Sequence, residues 1–303
     1  MASSLIANGH NVTIVCGSYK GGVTGIEKPF LKGKRVGKIR GIKVIELDLS
    51  YSNNDNFIKR SITFIKFALY SIFIVFKEKY DVLFATSTPL TVGIPGIIAR
   101  WVRKKKFIFE VRDLWPELPK SMGVITNPLS LHLLSILEWA CYHSAHHCIA
   151  LSPGIAEGIA KRGITKQKIT LIPNGCDLRI FDSKEKYWRP KGVKKNDFTT
   201  IFAGTHGIAN GLDAIIDVAT ELKKRKRDDI KFLLIGDGSQ KIRLFTKAQE
   251  NKLNNVFFLD PMDKEKLALL IKSCNLGLQI LKNIPAFYYG TSPNKFFDYI
   301  AAG

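Results

Sequence analysis

Short apolar runs rich in Val, Ile and Phe alternate along the chain with longer stretches of helical periodicity. Runs at residues 11–16, 43–47, 81–85, 107–111, 148–151 and 169–172 predict strands, and the patterns near 58–76, 91–102, 129–145 and 153–161 predict helices between them. A second set follows, with strands at 200–203, 231–235, 256–259 and 276–280 and helices at 212–224, 239–250, 264–273 and in the final stretch. Short apolar strands separated by helices predict parallel sheets covered on both faces. The economical reading is α/β: two Rossmann-like, doubly wound domains in tandem, residues 1–181 and 199–303, joined by a charged, Pro-containing linker at 182–198. Residues 1–9 read as the last turns of a helix capped by Gly9, and Gly303 falls where a strand should follow, so the pattern predicts a fragment truncated at both ends.

Ligands of such sheets gather at the C-terminal ends of the strands, so the loops there are where chemistry is expected. In the final stretch, Ser292 suits a helix N-cap and Pro293 a first turn, with Asn294 and Lys295 just inside. A helix N-terminus offers unpaired N–H groups and partial positive charge, a seat for phosphate to which Lys295 adds a full charge. Asp298 follows at i+3 on the same face. Phosphate at the tip and a carboxylate one turn deeper suit a nucleotide-sugar, diphosphate at one end and ribose at the other. After residues 200–203 the glycines Gly204, Gly207 and Gly211 flank Thr205, His206 and Asn210, a loop that lets backbone approach a ligand closely. Gly236-Asp237-Gly238 and Leu259-Asp260-Pro261 follow the next two strands, and Arg112-Asp113-Leu114-Trp115-Pro116-Glu117 ends one in the first half. A flexible turn at Gly204–Gly211, and a Trp115 core plug beside an Asp113 helix cap, remain open as plain structural readings.

The last of these patterns resembles the carboxylate-bearing helix of family-four glycosyltransferases: Glu, seven residues, Glu, then a small-small-Gly stop, here Ala301-Ala302-Gly303. Asp298 matches the second acid. The first falls on Gly290, where only backbone amides could serve. The Ser-Pro-Asn-Lys-Phe-Phe-Asp-Tyr version at 292–299 and the Arg112–Glu117 loop are similar to the branch that builds bacterial O-antigen and capsule chains with N-acetylated amino sugars such as fucosamine. The resemblance implies a GT-B enzyme: a retaining, metal-independent glycosyltransferase without cofactor, taking a UDP-sugar donor and a lipid-diphosphate-linked saccharide acceptor. It implies that the Gly204–Gly211 loop meets the donor diphosphate. Where relatives add an Arg and a Lys, this chain has His206 and Asn210, with Lys295 to supply the charge. Gly236 and Gly238 would border the nucleotide, Leu259 would hold the base through its backbone, and Asp298 would hold ribose or orient the donor. Arg112, where many relatives have His, would steady the leaving phosphate or sugar hydroxyls, with Asp113 and Trp115 beside the acceptor. Donor identity is expected to rest on side chains near Tyr288 and Tyr289, and the turn Ile172-Pro173-Asn174-Gly175 resembles the family's domain junction.

Composition narrows the partners. Over 303 residues, 46 Lys and Arg against 26 acids give a formal charge of +20, which points to nucleic acid, anionic lipid or phosphorylated substrates. Interleaved aromatic and basic residues of a nucleic-acid reader are missing, so no nucleic-acid partner is expected. No full Gly-x-Gly-x-x-Gly with a distal acid supports a dinucleotide oxidoreductase. A UDP-sugar 2-epimerase of the same architecture remains the alternative. Five scattered Cys read as reduced core residues of a cytosolic protein. His143, His146, His147 and Cys148 fit no standard zinc spacing, and no metal is expected. Residues 57–76 place Lys59, Thr63, Lys66, Tyr70 and Lys77 on one stripe of an otherwise apolar helix. Its uncharged run, 67–76, falls well short of the roughly 20 residues a bilayer span takes. A buried helix and an interfacial helix both fit, and the charge favours a peripheral place on an anionic membrane, at the inner face of the cytoplasmic membrane.

Overall fold

The computed structural model describes residues 1–19, 24–52, 55–182, 188–288 and 290–303, which divide into two compact units, Met1–Ile172 and Pro173–Gly303. In the first, the order is α1 (Ala2–Ala7), β1 (Thr13–Tyr19), β2 (Lys34–Ile39), β3 (Ile42–Tyr51), α2 (Phe57–Lys77), β4 (Val82–Thr86), α3 (Gly93–Trp101), β5 (Lys106–Val111), α4 (Glu117–Ser121), α5 (Pro128–Ser144), β6 (His147–Ala150), α6 (Pro153–Lys161) and β7 (Ile169–Leu171). Strands β4-β5-β6-β7 form a parallel sheet, and β1-β3-β2 a separate three-stranded one.

The all-parallel expectation fails at β2, which runs antiparallel to β3. Its residues look like a basic run, yet Val36 and Ile39 alternate with charged neighbours. The turn Arg40-Gly41 has positive φ at both positions (48° and 84°), the geometry of a two-residue hairpin. Arg35 of β2 is neutralised by Glu46 of β3 at 2.9 Å, and on β3 Lys43 meets Glu78 at 2.6 Å. Strand β5 carries the core of the parallel sheet, burying Phe107, Phe109 and Val111 with Cys141, Tyr142, Ile155 and Ile159. Each such side chain contributes on the order of 1.5–3 kcal/mol.

The second unit contains β8 (Phe198–Ala203), α7 (Asp213–Lys224), β9 (Ile230–Ile235), α8 (Lys241–Glu250), β10 (Val256–Leu259), α9 (Lys264–Lys272), β11 (Leu276–Gly277) and α10 (Asn294–Ala302). Its sheet has the order β10-β9-β8-β11, all parallel. Phe202, Phe232 and Leu234 bury into one core, while Ile201, Ala203, Leu233 and Ile235 bury into the other, so both faces are covered. Strand order reverses at β8, and a crevice is expected beyond its C-terminal end.

Where composition predicts a linker at 182–198, the described residues pack on the second unit. The Lys272 ammonium donates to the carbonyl of Phe181 (2.7 Å), the Trp188 indole to that of Lys266 (3.1 Å) and Arg189 to that of Ser273 (3.0 Å). Residues 183–187 lie outside the described residues. The polar stripe of α2 is as the periodicity predicts, with Lys59, Lys66, Tyr70 and Lys77 exposed and Ala68, Ser71 and Val75 buried. Among the described residues no helix is long and apolar enough to cross a membrane.

Candidate functional site

Beyond the C-terminal end of β8 lies a cavity of about 350 Å³ lined by Gly204, Thr205, Asn210, Asn294, Lys295 and Asp298, with Leu267, Ile271 and Tyr299 beneath. Helix α10 is aimed at it. The Tyr299 hydroxyl accepts the N–H of Ala203 at 3.0 Å, which ties the helix to the last residue of the strand. Burial in that position pushes the Tyr299 phenol up to about 12.

Ser292 is not the N-cap. Its hydroxyl accepts the N–H of Asn174 at 2.8 Å, and its carbonyl accepts from the Asn174 amide. Pro293 occupies the cap position in extended conformation and lends no side chain to it. The N–H of Phe296 donates to the Pro293 carbonyl at 3.1 Å, and among the described residues those of Asn294 and Lys295 have no side-chain cap.

Lys295 enters the cavity from the first turn. Its ammonium donates to Asn210 Oδ1 at 3.1 Å and lies 4.2 Å from the centre of the Phe202 ring. Among the described residues no carboxylate pairs with it, and burial lowers its pKa to about 8. Asn210 is locked in turn, since its amide donates to the carbonyl of Thr205 at 2.7 Å. Asp298, one turn on, is 9% exposed and meets Lys264 at 3.1 Å. The shared helix face therefore does not join Lys295 to Asp298. The acid is matched by the first residue of α9, and among the described residues the lysine has no counter-ion.

Several residues predicted for this site stand elsewhere. His206 is fully buried between Phe202 and Phe258, its ring 6.1 Å from each, with neither nitrogen on a well-aligned partner. Burial lowers its pKa to about 4, so the neutral ring is a core residue and its backbone, not its side chain, shapes the loop. Gly236 and Gly238 are buried where the second loop packs on the first. His206 N–H donates to the carbonyl of Asp237 (2.9 Å), and a Cβ on Gly236 would sit 2.0 Å from the carbonyl oxygen of Gly204. These glycines permit backbone to meet backbone and do not line the cavity. Leu259 is also outside it, its carbonyl accepting the N–H of Gly236 at 3.1 Å. Gly207 and Gly211 bracket the Ile208–Asn210 turn that presents Asn210. Tyr289 lies outside the described residues, and Tyr288 donates to Asn283 at 2.5 Å.

In the first unit, β4 and β5 end in a second polar cluster. Thr88 donates to Asp113 at 2.9 Å, the N–H of Arg112 donates to Ser87 at 2.9 Å, and the Arg112 guanidinium lies 4.0 Å from Glu110. Thr86 donates to Glu110. Burial raises the Asp113 carboxyl above the usual range. Trp115 packs against the first core, and among the described residues its buried indole N–H has no partner, so the ring acts as a plug. Sequence reading misses Glu110, Thr86 and Thr88 here and Lys264 and Tyr299 in the second unit. Lys264 carries a signal in retrospect: it is a cation in a first helical turn, where the helix dipole favours an acid.

The candidate metal group disperses. His143 lies on Trp139 and contacts its carbonyl (2.9 Å), His146 accepts the N–H of Phe107 (3.0 Å), His147 meets Thr170 (2.5 Å), and Cys148 is buried. No group of three or more metal-ligating side chains occurs among the described residues.

Two family models cover nearly the whole chain: Glycosyltransferase Family 4 at residues 1–180 and Glycosyl transferases group 1 at residues 183–279. An uncharacterized glycosyltransferase of Methanocaldococcus jannaschii, MJ1069, is 23% identical over 206 residues, which are 67% of this chain and 52% of that one. Among solved structures, WaaG, a glycosyltransferase involved in lipopolysaccharide biosynthesis, matches with a TM-score of 0.61 and 13% identity over 99% of this chain and 73% of its own. Anabaena HepE in complex with UDP and glucose matches with a TM-score of 0.51 and 16% identity over 75% of this chain and 59% of its own. The chain spans about half the length of the curated relatives it matches. A parallel sheet in each unit, a helix tip aimed at the cavity beyond β8 and the two matching models lead to one statement: this chain belongs to glycosyltransferase family 4 and has the GT-B fold.

Proposed function

We propose that the chain contributes to a retaining glycosyltransferase that moves a sugar, of the N-acetylated amino-sugar class, from a UDP-sugar to a lipid-diphosphate-linked saccharide in surface-polysaccharide synthesis. The observation that carries this is Lys295: a half-buried cation with no carboxylate partner among the described residues, at a helix tip beyond a parallel strand. An unpaired buried charge is costly, and an arriving diphosphate relieves that cost. Asn294, the α10 N–H groups and the Gly204–Thr205 backbone complete the anion seat, and Asp298 is placed one turn away for ribose hydroxyls. The UDP complex of HepE supports that class of donor.

In the proposed reaction the acceptor hydroxyl forms a bond to the anomeric carbon as the carbon–oxygen bond to the diphosphate breaks. Its proton passes to the leaving diphosphate on the same face. The protein's part is to hold donor and acceptor and to neutralise charge growing on the diphosphate, the task of Lys295 and the helix tip. The cluster at Arg112, Asp113 and Glu110 provides donors and acceptors for acceptor hydroxyls. A 2-epimerase is disfavoured because it needs a histidine among its carboxylates. Among the described residues no histidine is hydrogen-bonded or ion-paired to Glu110 or Asp113. Location at the inner face of the cytoplasmic membrane follows from the lipid-linked acceptor.

Calorimetric titration with UDP and UDP-N-acetylamino sugars tests the donor reading, with binding expected in the wild type and lost in Lys295→Met. Equal titration by both proteins removes the assigned seat. Product anomeric configuration, read by NMR, decides retention.

A further inference from the structure

On α2 the apolar residues Ile58, Ile62, Ile65, Leu69, Phe73 and Phe76 are all exposed, Phe73 at 72%. They are spaced three or four residues apart, so they form one ridge beside the Lys stripe. A second ridge runs along α5, where Leu129, Leu133, Ile136 and Trp139 are exposed. Helix α3 packs against both α2 and α5, and ends in exposed Trp101 and Val102. One flank of the first unit is thus two apolar ridges with a shared floor. Soluble proteins seldom leave so much contiguous apolar surface bare.

Charge says what covers it. Helices α2 and α3 contain no acid, and the only acid of α5, Glu138, is buried and ion-paired to Arg162 at 2.5 Å. Lys66, Lys77, Lys104 and Lys106 stand exposed around the ridges. Apolar ridges, indole rings and lysines without an exposed carboxylate on any of the three helices match the boundary of an anionic bilayer. A second copy of this flank would oppose lysine to lysine, which disfavours a symmetric dimer.

We infer that α2, α3 and α5 together form the surface by which this protein lies on an anionic lipid leaflet, with Leu69, Phe73, Trp101 and Trp139 inserted and Lys66 and Lys77 over the headgroups. The inference refines the membrane element of the proposed function but stands on its own observations. It also sets an orientation. Each of these helices precedes or follows a strand of the parallel sheet and runs opposite to it, so their N-terminal ends lie on the side where β4 and β5 present Thr88, Arg112 and Asp113. A protein lying on this flank holds that polar cluster at the rim of the leaflet.

The test uses the 303-residue chain with vesicles of phosphatidylcholine alone or mixed with phosphatidylglycerol. Co-sedimentation with the mixed vesicles is expected, with a blue shift of tryptophan emission and quenching by brominated acyl chains. The double variant Trp101→Phe/Trp139→Phe should bind yet lose that quenching. Leu69→Ser/Phe73→Ser should weaken partitioning at least about tenfold, since two large side chains lose their insertion. Lys66→Glu/Lys77→Glu should weaken it about tenfold at low salt and less at high salt. All of these positions are exposed, and unchanged melting with unchanged UDP titration confirms that the fold and donor seat persist. No sedimentation, equal binding to neutral vesicles, quenching retained without Trp101 and Trp139, or burial of the ridges in a soluble dimer would each overturn the inference. Transfer to a soluble acceptor, assayed in parallel, separates the two readings: vesicle binding without transfer sinks the proposed function alone, and transfer without vesicle binding sinks this one alone.

Discussion

Among the described residues, Lys295 in the cavity at the tip of α10 and Lys66 and Lys77 on the flank made by α2, α3 and α5 carry positive charge without a paired acid, and they hold it in opposite ways. In the cavity the half-buried Lys295 ammonium is fixed by Asn210 and set over an aromatic ring, with a pKa lowered to about 8. On the flank several lysines stand in water around exposed apolar ridges. A buried cation gains most from one well-placed anion, and its removal should be close to all-or-none. Exposed cations act additively, are screened by salt, and recognise a field rather than a group. The +20 total says nothing about this division. Elsewhere charge is matched locally, as on α7 and α8, where Arg243 and Lys247 pair with Asp213 and Asp217.

The largest expected effect falls in the cavity. Lys295→Met should reduce turnover by roughly 10²–10³-fold, the scale for removing one charge-stabilising donor from a water-poor site, without reducing thermal stability, because an uncompensated buried charge is removed. A loss of only a few-fold, the size expected of a flank lysine, would break the distinction. Asp298→Asn comes next, at about tenfold to a hundredfold in KM. The loss should shrink for a 2′-deoxy donor if the carboxylate serves ribose.

The pH dependence sharpens the same comparison. Below about 8 the Lys295 ammonium is present in the empty cavity and donor affinity should be flat. Above it the amine is neutral and must take up a proton to receive the diphosphate, so affinity should fall about tenfold per pH unit. Titrations in buffers of different ionisation enthalpy should report proton uptake at pH 9 and little at pH 7. His206 gives a stability counterpart of opposite sense. Its pKa of about 4 in the folded state lies below the 6.5 of a free imidazole, so the unfolded chain binds a proton first and stability falls as pH drops from about 6.5 to about 4. His206→Phe should abolish up to about 3 kcal/mol of that acid loss, read from denaturant midpoints at pH 7 and pH 4.5.

Sequence made the strand–helix alternation legible because apolar runs and turn residues report local structure directly. β2 is hidden in the sequence because Lys34, Arg35 and Lys38 make it read as a solvated basic run, and nothing local tells that Arg35 pairs with the buried Glu46 of β3. That Lys295 and Asp298 share the start of a helix is legible from helix-start chemistry, which needs only neighbours in sequence. His206 was assigned to the ligand because a Gly-rich loop suggests exposure, and nothing in sequence tells that the second loop and Phe258 enclose its ring. The α2 polar stripe was visible, but the exposed apolar ridge beside it depends on which face α3 covers.

The smallest expected effect tests the pairing that separates Lys295 from Asp298. Lys264 is half exposed and meets a carboxylate that is nearly buried. Such a pair contributes on the order of 1 kcal/mol or less once solvent screening is allowed for. Lys264→Met should therefore cost a few-fold in donor affinity through a poorly held Asp298, and Lys264→Arg should restore it. The informative readout is the double variant with Asp298. If Lys264 merely adds to the positive field, as a flank lysine would, its loss and that of Asp298→Asn add in free energy. If it positions the acid opposite a separate anion seat, adding Asp298→Asn to Lys264→Met should cost little more than Asp298→Asn alone, while Lys264→Met and Lys295→Met remain independent. Coupling to Asp298 with independence from Lys295 is the pattern a two-part donor site requires.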